Sequence, residues 1–276
     1  MRSALLVGRD HTEIGAIDVV AEGPCAISIS RGGAAKTYTH TDPNEDACLF
    51  AMGPGGALIA VADGHHGGMG AETAMRHLLE HLAPRWTRES AGAADALAGE
   101  AGEALSAINR AIKTEAERCE MRVSATTLSF VLIRPGEDLL LHVSVGDSHI
   151  FRTRETVPLD IGWAASNDLR PAYLGYDTAA EHDDMHSIVW ESLVGTRSVV
   201  LVTDGFSELG IGHDSPATEL DAIQSRSLAC EGELRPVETC RGVAESTLSI
   251  QKKNNAGDNL RSEERRVGKE CRSRWS

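Results

Sequence analysis

The sequence predicts an α+β fold, with strands and helices in separate blocks. Three observations predict it. Short apolar runs at residues 25–30, 47–52 and 57–62 read as strands. Two helical periods follow, over 70–86 and 93–119. A second set of strand-like runs (126–133, 139–145, 149–152, 188–193 and 198–203) then precedes helical stretches at 218–229 and 236–251. Strands, a helical pair, strands and then helices suit segregated layers better than alternating βαβ units.

Each element has a local reason. The Gly-Pro-Gly-Gly step at 53–56 marks a turn between two strands. Residues Ala74, Leu78, Leu79 and Leu82 share one face of the first helix, and Ala101, Leu105, Ile108 and Ile112 one face of the second. The run 126–133 is almost continuously apolar, as in a strand covered on both sides. Residues 139–145 alternate, with His142 and Ser144 opposite the leucines and valines. The stretch 153–185 has no clear period, and such a long irregular segment hints at function.

Composition narrows the classes. The 276 residues are 41% hydrophobic, which excludes a disordered chain and allows a sizeable core. Aromatics are only 4%, so that core rests on Ala, Leu, Val and Ile. A net charge of -14 argues against a nucleic-acid partner, which needs a basic face. It suits hard divalent cations instead. No apolar stretch is long enough to span a membrane, and the run after Met1 is too short for a signal peptide. Six scattered cysteines without a CxxC pair favour neither zinc nor a disulfide scaffold, so a reducing cytoplasm is the simplest compartment.

The far end differs. Residues 261–276, RSEERRVGKECRSRWS, carry six basic and three acidic residues, opposite in sign to the rest of the chain. The string resembles the translation of a common sequencing adapter, and it is set aside as a non-native tail. The alternative is a natural basic tail.

Acidic residues fall where strands end. Asn44-Glu45-Asp46 precedes one strand, and Asp63-Gly64-His65-His66-Gly67-Gly68 follows another. Thr203-Asp204-Gly205 and Gly257-Asp258-Asn259 repeat the arrangement. Carboxylates that converge at one sheet edge repel each other unless a cation lies among them. Mg2+ or Mn2+ prefers such oxygen ligands. Gly64, without a side chain, would let its carbonyl approach an ion.

The ordered set NED, DGHHGG, SATTL, VGDSH, LVTDGFSE and GDN resembles the metal-dependent type-2C protein serine/threonine phosphatases. That family reads R-x-x-x-E-D, D-G-H-G-G, G-T-T, G-D-S-R, S-D-G and D-N. Each piece alone is weak, because Asp-Gly occurs in many turns; the order is specific. The resemblance implies two packed antiparallel sheets flanked by helices, a four-layer α-β-β-α sandwich. It implies two metals per site and a third, weaker one. Asp63 would bridge the pair, the Gly64 carbonyl would bind one ion, and Asp204 and Asp258 the other. Asp46 joins the metal set and, with Glu45, would hold waters on the ions. Asp147 matches the third position, and His65 the general acid. The substrate implied is a phosphoprotein, attacked by water that the cations acidify.

The chain departs from the family in three places. Thr41 stands where the family has its phosphate-gripping Arg; Lys36, His40 or Arg170 could substitute, and Arg170 is the candidate substrate contact. His66 is an extra residue, and His65 keeps the spacing from Asp63. His149 replaces an Arg and reads as a surface or hairpin residue. The domain reading is an N-terminal extension over 1–24, a phosphatase domain over 25–260 and the foreign tail. In that reading the last central strand is missing and leaves an exposed edge. Two rival functions stay open: a catalytically silent binding module of the same fold, and a metal-dependent hydrolase of small phosphoesters.

Overall fold

The computed structural model describes residues 1–36, 40–90, 92–155, 157–162, 173–176 and 186–266, with 261–266 as main chain only. Strands β1 (Arg2–Val7), β2 (Asp18–Glu22) and β3 (Cys25–Ser30) lead to the hairpin of β4 (Ala47–Gly53) and β5 (Gly56–Ala62). A two-residue strand, β6 (Gly64–His65), precedes helix α1 (Met69–His77). That helix continues through a π-helical segment, Leu78–Leu82, into α2 (Ala83–Trp86). Helix α3 (Ala94–Arg118) follows, then β7 (Ala125–Thr126), β8 (Leu128–Arg134), β9 (Leu139–Val145) and β10 (His149–Thr153). Last come β11 (Leu159–Asp160), β12 (Ser187–Ser192), β13 (Ser198–Val202), α4 (Pro216–Ser227), α5 (Arg235–Asn254) and β14 (Leu260–Arg266).

Two six-stranded sheets form, in the orders β1-β4-β5-β8-β9-β12 and β11-β10-β13-β14-β3-β2. Every pairing within them is antiparallel. The pleat explains the layers. On β5, Leu58, Ala60 and Ala62 pack towards α1–α3, while Ala57, Ile59 and Val61 pack towards the second sheet. On β13, Val199 and Leu201 join the inter-sheet core, while Val200 and Val202 meet α4 and α5. The α+β reading and the α-β-β-α layering of the sequence analysis both appear here.

The first helical face is as expected, with Ala74, Leu78 and Leu82 buried and Leu79 packed at its margin. The run 126–133 is broken at Thr127. Its N–H turns away from the sheet to the Asp63 carbonyl at 2.9 Å. Ser144 lies in the interior and shares a 3.2 Å hydrogen bond with Ser129, and His142 is buried on the same strand.

Two expectations are corrected. Residues 1–24 are not an extension, because β1 forms one edge of the first sheet, Arg2 opposite Met52, and β2 one edge of the second. Edge strands carry little apolar pattern and pair with distant residues, so nothing local announces them. The slot for a last central strand is not empty. β14 lies between β13 and β3, with Glu264 opposite both Val200 and Ala26. A ladder is made by main-chain groups, so a non-proline chain can fill it whatever its side chains. Among the described residues, no helix is long and apolar enough to cross a membrane.

Candidate metal centre

The end of the sandwich where β5, β9, β13 and β14 meet their loops gathers the acids. Asp63 follows β5, Asp147 lies in the β9–β10 turn, Asp204 follows β13, and Asp258 precedes β14. One oxygen each of Asp63, Asp204 and Asp258 lies within 4.8 Å of the others. Three segments far apart in sequence thus meet at one point.

Asp63 is held by its backbone. Its N–H donates to Thr127 Oγ1 at 2.9 Å, and its carbonyl accepts from the Thr127 N–H and from Thr126 Oγ1. Thr127 Oγ1 also shares a hydrogen bond with Ser148 Oγ at 3.0 Å, beside Asp147. The threonine pair of SATTL therefore ties two acidic turns together.

Gly64 has a steric reason beyond the one read from sequence. A Cβ there would stand 2.3 Å from the Glu45 carbonyl oxygen. The tight approach is to the chain's own backbone. Glu45 in turn accepts from the N–H groups of Thr41, Asp42 and Gly67 at 3.0, 3.3 and 2.8 Å. Burial pushes its carboxyl up, but the Lys36 charge and the Thr41 and Asp42 donors outweigh this and hold it below the ordinary carboxylate range. Asp46 meets the strand end before Asp204, accepting from Thr203 Oγ1 at 3.4 Å.

The acids strain one another. Burial first, then the Asp258 charge, push Asp63 well above the ordinary range. Asp204 is raised in the same sense by burial and then by Asp63. Burial also raises Asp147. The Oδ1 atoms of Asp147 and Asp204 are buried without a hydrogen-bond partner among the described residues. Carboxylate oxygens that are buried, mutually repelling and unsatisfied fit a hard divalent cation. Asp147 stands outside the close triad.

The two adjacent histidines part company. His65 pairs through β6 with β7 and packs edge-on against Tyr173, with ring centroids 4.4 Å apart. Burial lowers its pKa, while the charges of Asp147, Glu45 and Asp258 oppose that shift. His66 adopts φ 63° and points outward, with Nε2 3.1 Å from Tyr176 Oη. The left-handed residue absorbs the extra position and keeps His65 beside the acids.

Some residues have parts that sequence reasoning missed. Lys36 is inside the cluster, 3.2 Å from Glu45 Oε2 and 3.6 Å from Asp258 Oδ1. Glu208 interacts with Asp258, and burial and that neighbour raise its pKa to about 7. Its place four residues after Asp204, on the turn that returns its N–H to the Asp204 carbonyl, was the available signal. His149 is not a free surface residue. Its Nδ1 is 2.6 Å from Asp160 Oδ2 and its Nε2 2.5 Å from Ser207 Oγ, so it braces the Asp147 turn against the Asp204 turn. The substrate candidate Arg170 lies outside the described residues.

Residues 34–236 match the family model described as protein phosphatase 2C. Many solved structures resemble the chain, three of them as follows. Serine-threonine phosphatase 2C from Toxoplasma gondii is 14% identical, with TM-score 0.63, covering 97% of this chain and 99% of that one. Serine/threonine phosphatase Stp1 from Staphylococcus aureus is 15% identical, with TM-score 0.61, covering 94% and 98%. The catalytic domain of serine threonine protein phosphatase PstP, in complex with two manganese ions, is 18% identical, with TM-score 0.58, covering 92% and 100%. No curated protein sequence matches the chain.

Proposed function

The chain belongs to the protein phosphatase 2C family, and we propose on that premise that it hydrolyses phosphoserine and phosphothreonine in proteins with Mg2+ or Mn2+. The observation that carries this reading is the meeting of Asp63, Asp204 and Asp258 within 4.8 Å. Those three and the Gly64 carbonyl would hold two ions, Asp46 and Glu45 would support them from behind, and Asp147 would serve a third, weaker position. When bound, such ions make water nucleophilic at neutral pH and neutralise phosphoryl oxygens.

The chain's own residues do the rest. Asp63 is kept rigid by Thr126 and Thr127, so its carboxylate needs little reorganisation. His65 would hold a proton on its imidazole and pass it to the serine or threonine oxygen as that oxygen leaves. Burial lowers its pKa and makes it a stronger acid, while the charges of Asp147, Glu45 and Asp258 oppose that shift. Tyr173, packed on its ring, limits its orientation.

A cytoplasmic site of action belongs to the same proposal, as the scattered cysteines without a CxxC pair suggest. The test is release of phosphate from a phosphothreonine peptide with Mn2+, with and without chelator, beside p-nitrophenyl phosphate. His65→Ala should lose about 10²–10⁴-fold in kcat, and His66→Ala little. No metal-dependent turnover in either assay would sink the enzymatic reading. It would favour a silent binding module, a reading to which Thr41 lends support, since it stands where the family has its phosphate-gripping Arg. Turnover of the small ester alone would point to a small-phosphoester hydrolase.

A further inference from the structure

Lys36 carries a charge that the proposed reaction does not use. Its side chain is 4% exposed, and its ammonium lies between Glu45 and Asp258. The backbone delivers it there. Lys36 forms a parallel bridge with Gly257, the residue before Asp258. Gly257 must be glycine for this approach, because a Cβ there would stand 1.9 Å from the Ala34 carbonyl oxygen. The lysine is thus fixed next to a residue assigned to the metals, on the side of the cluster that Glu45 shares.

We propose that Lys36 is a built-in cation that competes with the metal for the Asp258 side of the centre, so that the two ions bind with unequal affinity. The inference rests on the metal-dependent reading above. An ammonium is a compact charge on a flexible stem, able both to neutralise carboxylates and to swing aside. Without metal it relieves part of the repulsion among Asp63, Asp204, Asp258 and Glu45. An incoming ion that needs Asp258 meets a like charge a few ångströms away and must displace it. The position relying on Asp63 and the Gly64 carbonyl fills first, and the position relying on Asp204 and Asp258 fills second.

Calorimetric titration of the whole protein with Mn2+ tests this, beside thermal melting without metal. The expected result is two classes of binding in the parent chain. In Lys36→Met the weaker class should tighten about tenfold or more, while the metal-free protein melts lower because its carboxylates have lost their counter-charge. Lys36→Arg, which keeps the charge, should retain both classes. If Lys36→Met does not fold without metal, the dependence of its melting temperature on Mn2+ concentration reads the same affinity. Equal weak-class affinity in the parent and Lys36→Met overturns the proposal. Absence of Mn2+ binding by the parent and by Lys36→Met alike overturns the metal reading itself, and this inference with it.

Discussion

The two sheets of the sandwich are built differently. In the first, the central strands come as two tight hairpins, β4–β5 and β8–β9, and every residue in them is buried. In the second, the central strand β14 comes from the far end of the chain and reads LRSEERR, between the apolar β13 and β3. The first sheet is specified by its own side chains. The second depends on main-chain pairing for its middle strand. Yet both contribute to the acidic cluster, Asp63 from the first and Asp204 and Asp258 from the second. A chemically demanding site therefore sits across a boundary between a self-sufficient layer and a dependent one.

The sharpest test asks whether both layers really serve one centre. Asp63→Asn and Asp204→Asn should each lower metal-dependent turnover of the phosphothreonine peptide by roughly a thousandfold or more, since metal stabilisation supplies several kcal/mol. If one of them leaves kcat intact, the centre belongs to a single sheet. Next in size is the self-sufficient core. Leu58→Ala should cost about 2–5 kcal/mol in urea unfolding, because Leu58 is fully buried beneath the helices.

The dependent layer is probed by gain rather than loss. Replacing residues 261–266 by alternating Val and Thr should raise the melting temperature by a few degrees, as apolar groups enter a central strand. An unchanged melt would mean that β14 contributes little to the second sheet. The smallest expected effect concerns pH. Burial holds the His142 imidazole below its ordinary range, with Arg152 adding and Glu191 opposing. The unfolded chain then takes up a proton that the native state refuses, so stability is full above about pH 6.5 and falls as the pH drops below it. His142→Asn should flatten that acid-side decline in a melting series from pH 7 to pH 5. A slope equal to the parent's would assign the decline to other groups.

The strands of the first sheet were legible because each is a short apolar run bounded by turn residues, as at 53–56. Helix α3 was legible for its period, since Ala101, Leu105, Ile108 and Ile112 all face the core. β1 and β2 were not, because edge strands show partial burial and find partners far along the chain. In the site, Asp63, Asp204 and Asp258 were readable as acids at strand ends. Lys36 was named only as a stand-in for the missing Arg and Glu208 not at all, because their contacts with Asp258 arise only when folding brings the segments close. His149 read as a hairpin residue because Asp160 and Ser207 lie beyond its local sequence.

The order of the motifs and the apolar patterning by themselves determined the layers, the family and the acidic character of the centre. Both are local properties, written in residue types and short spacings. The tertiary structure alone decided that His149 braces two acidic turns, that the first residues complete two sheet edges, and that an ammonium is lodged between Glu45 and Asp258. Those outcomes depend on which backbones approach one another across the sandwich, and no local period encodes that distance.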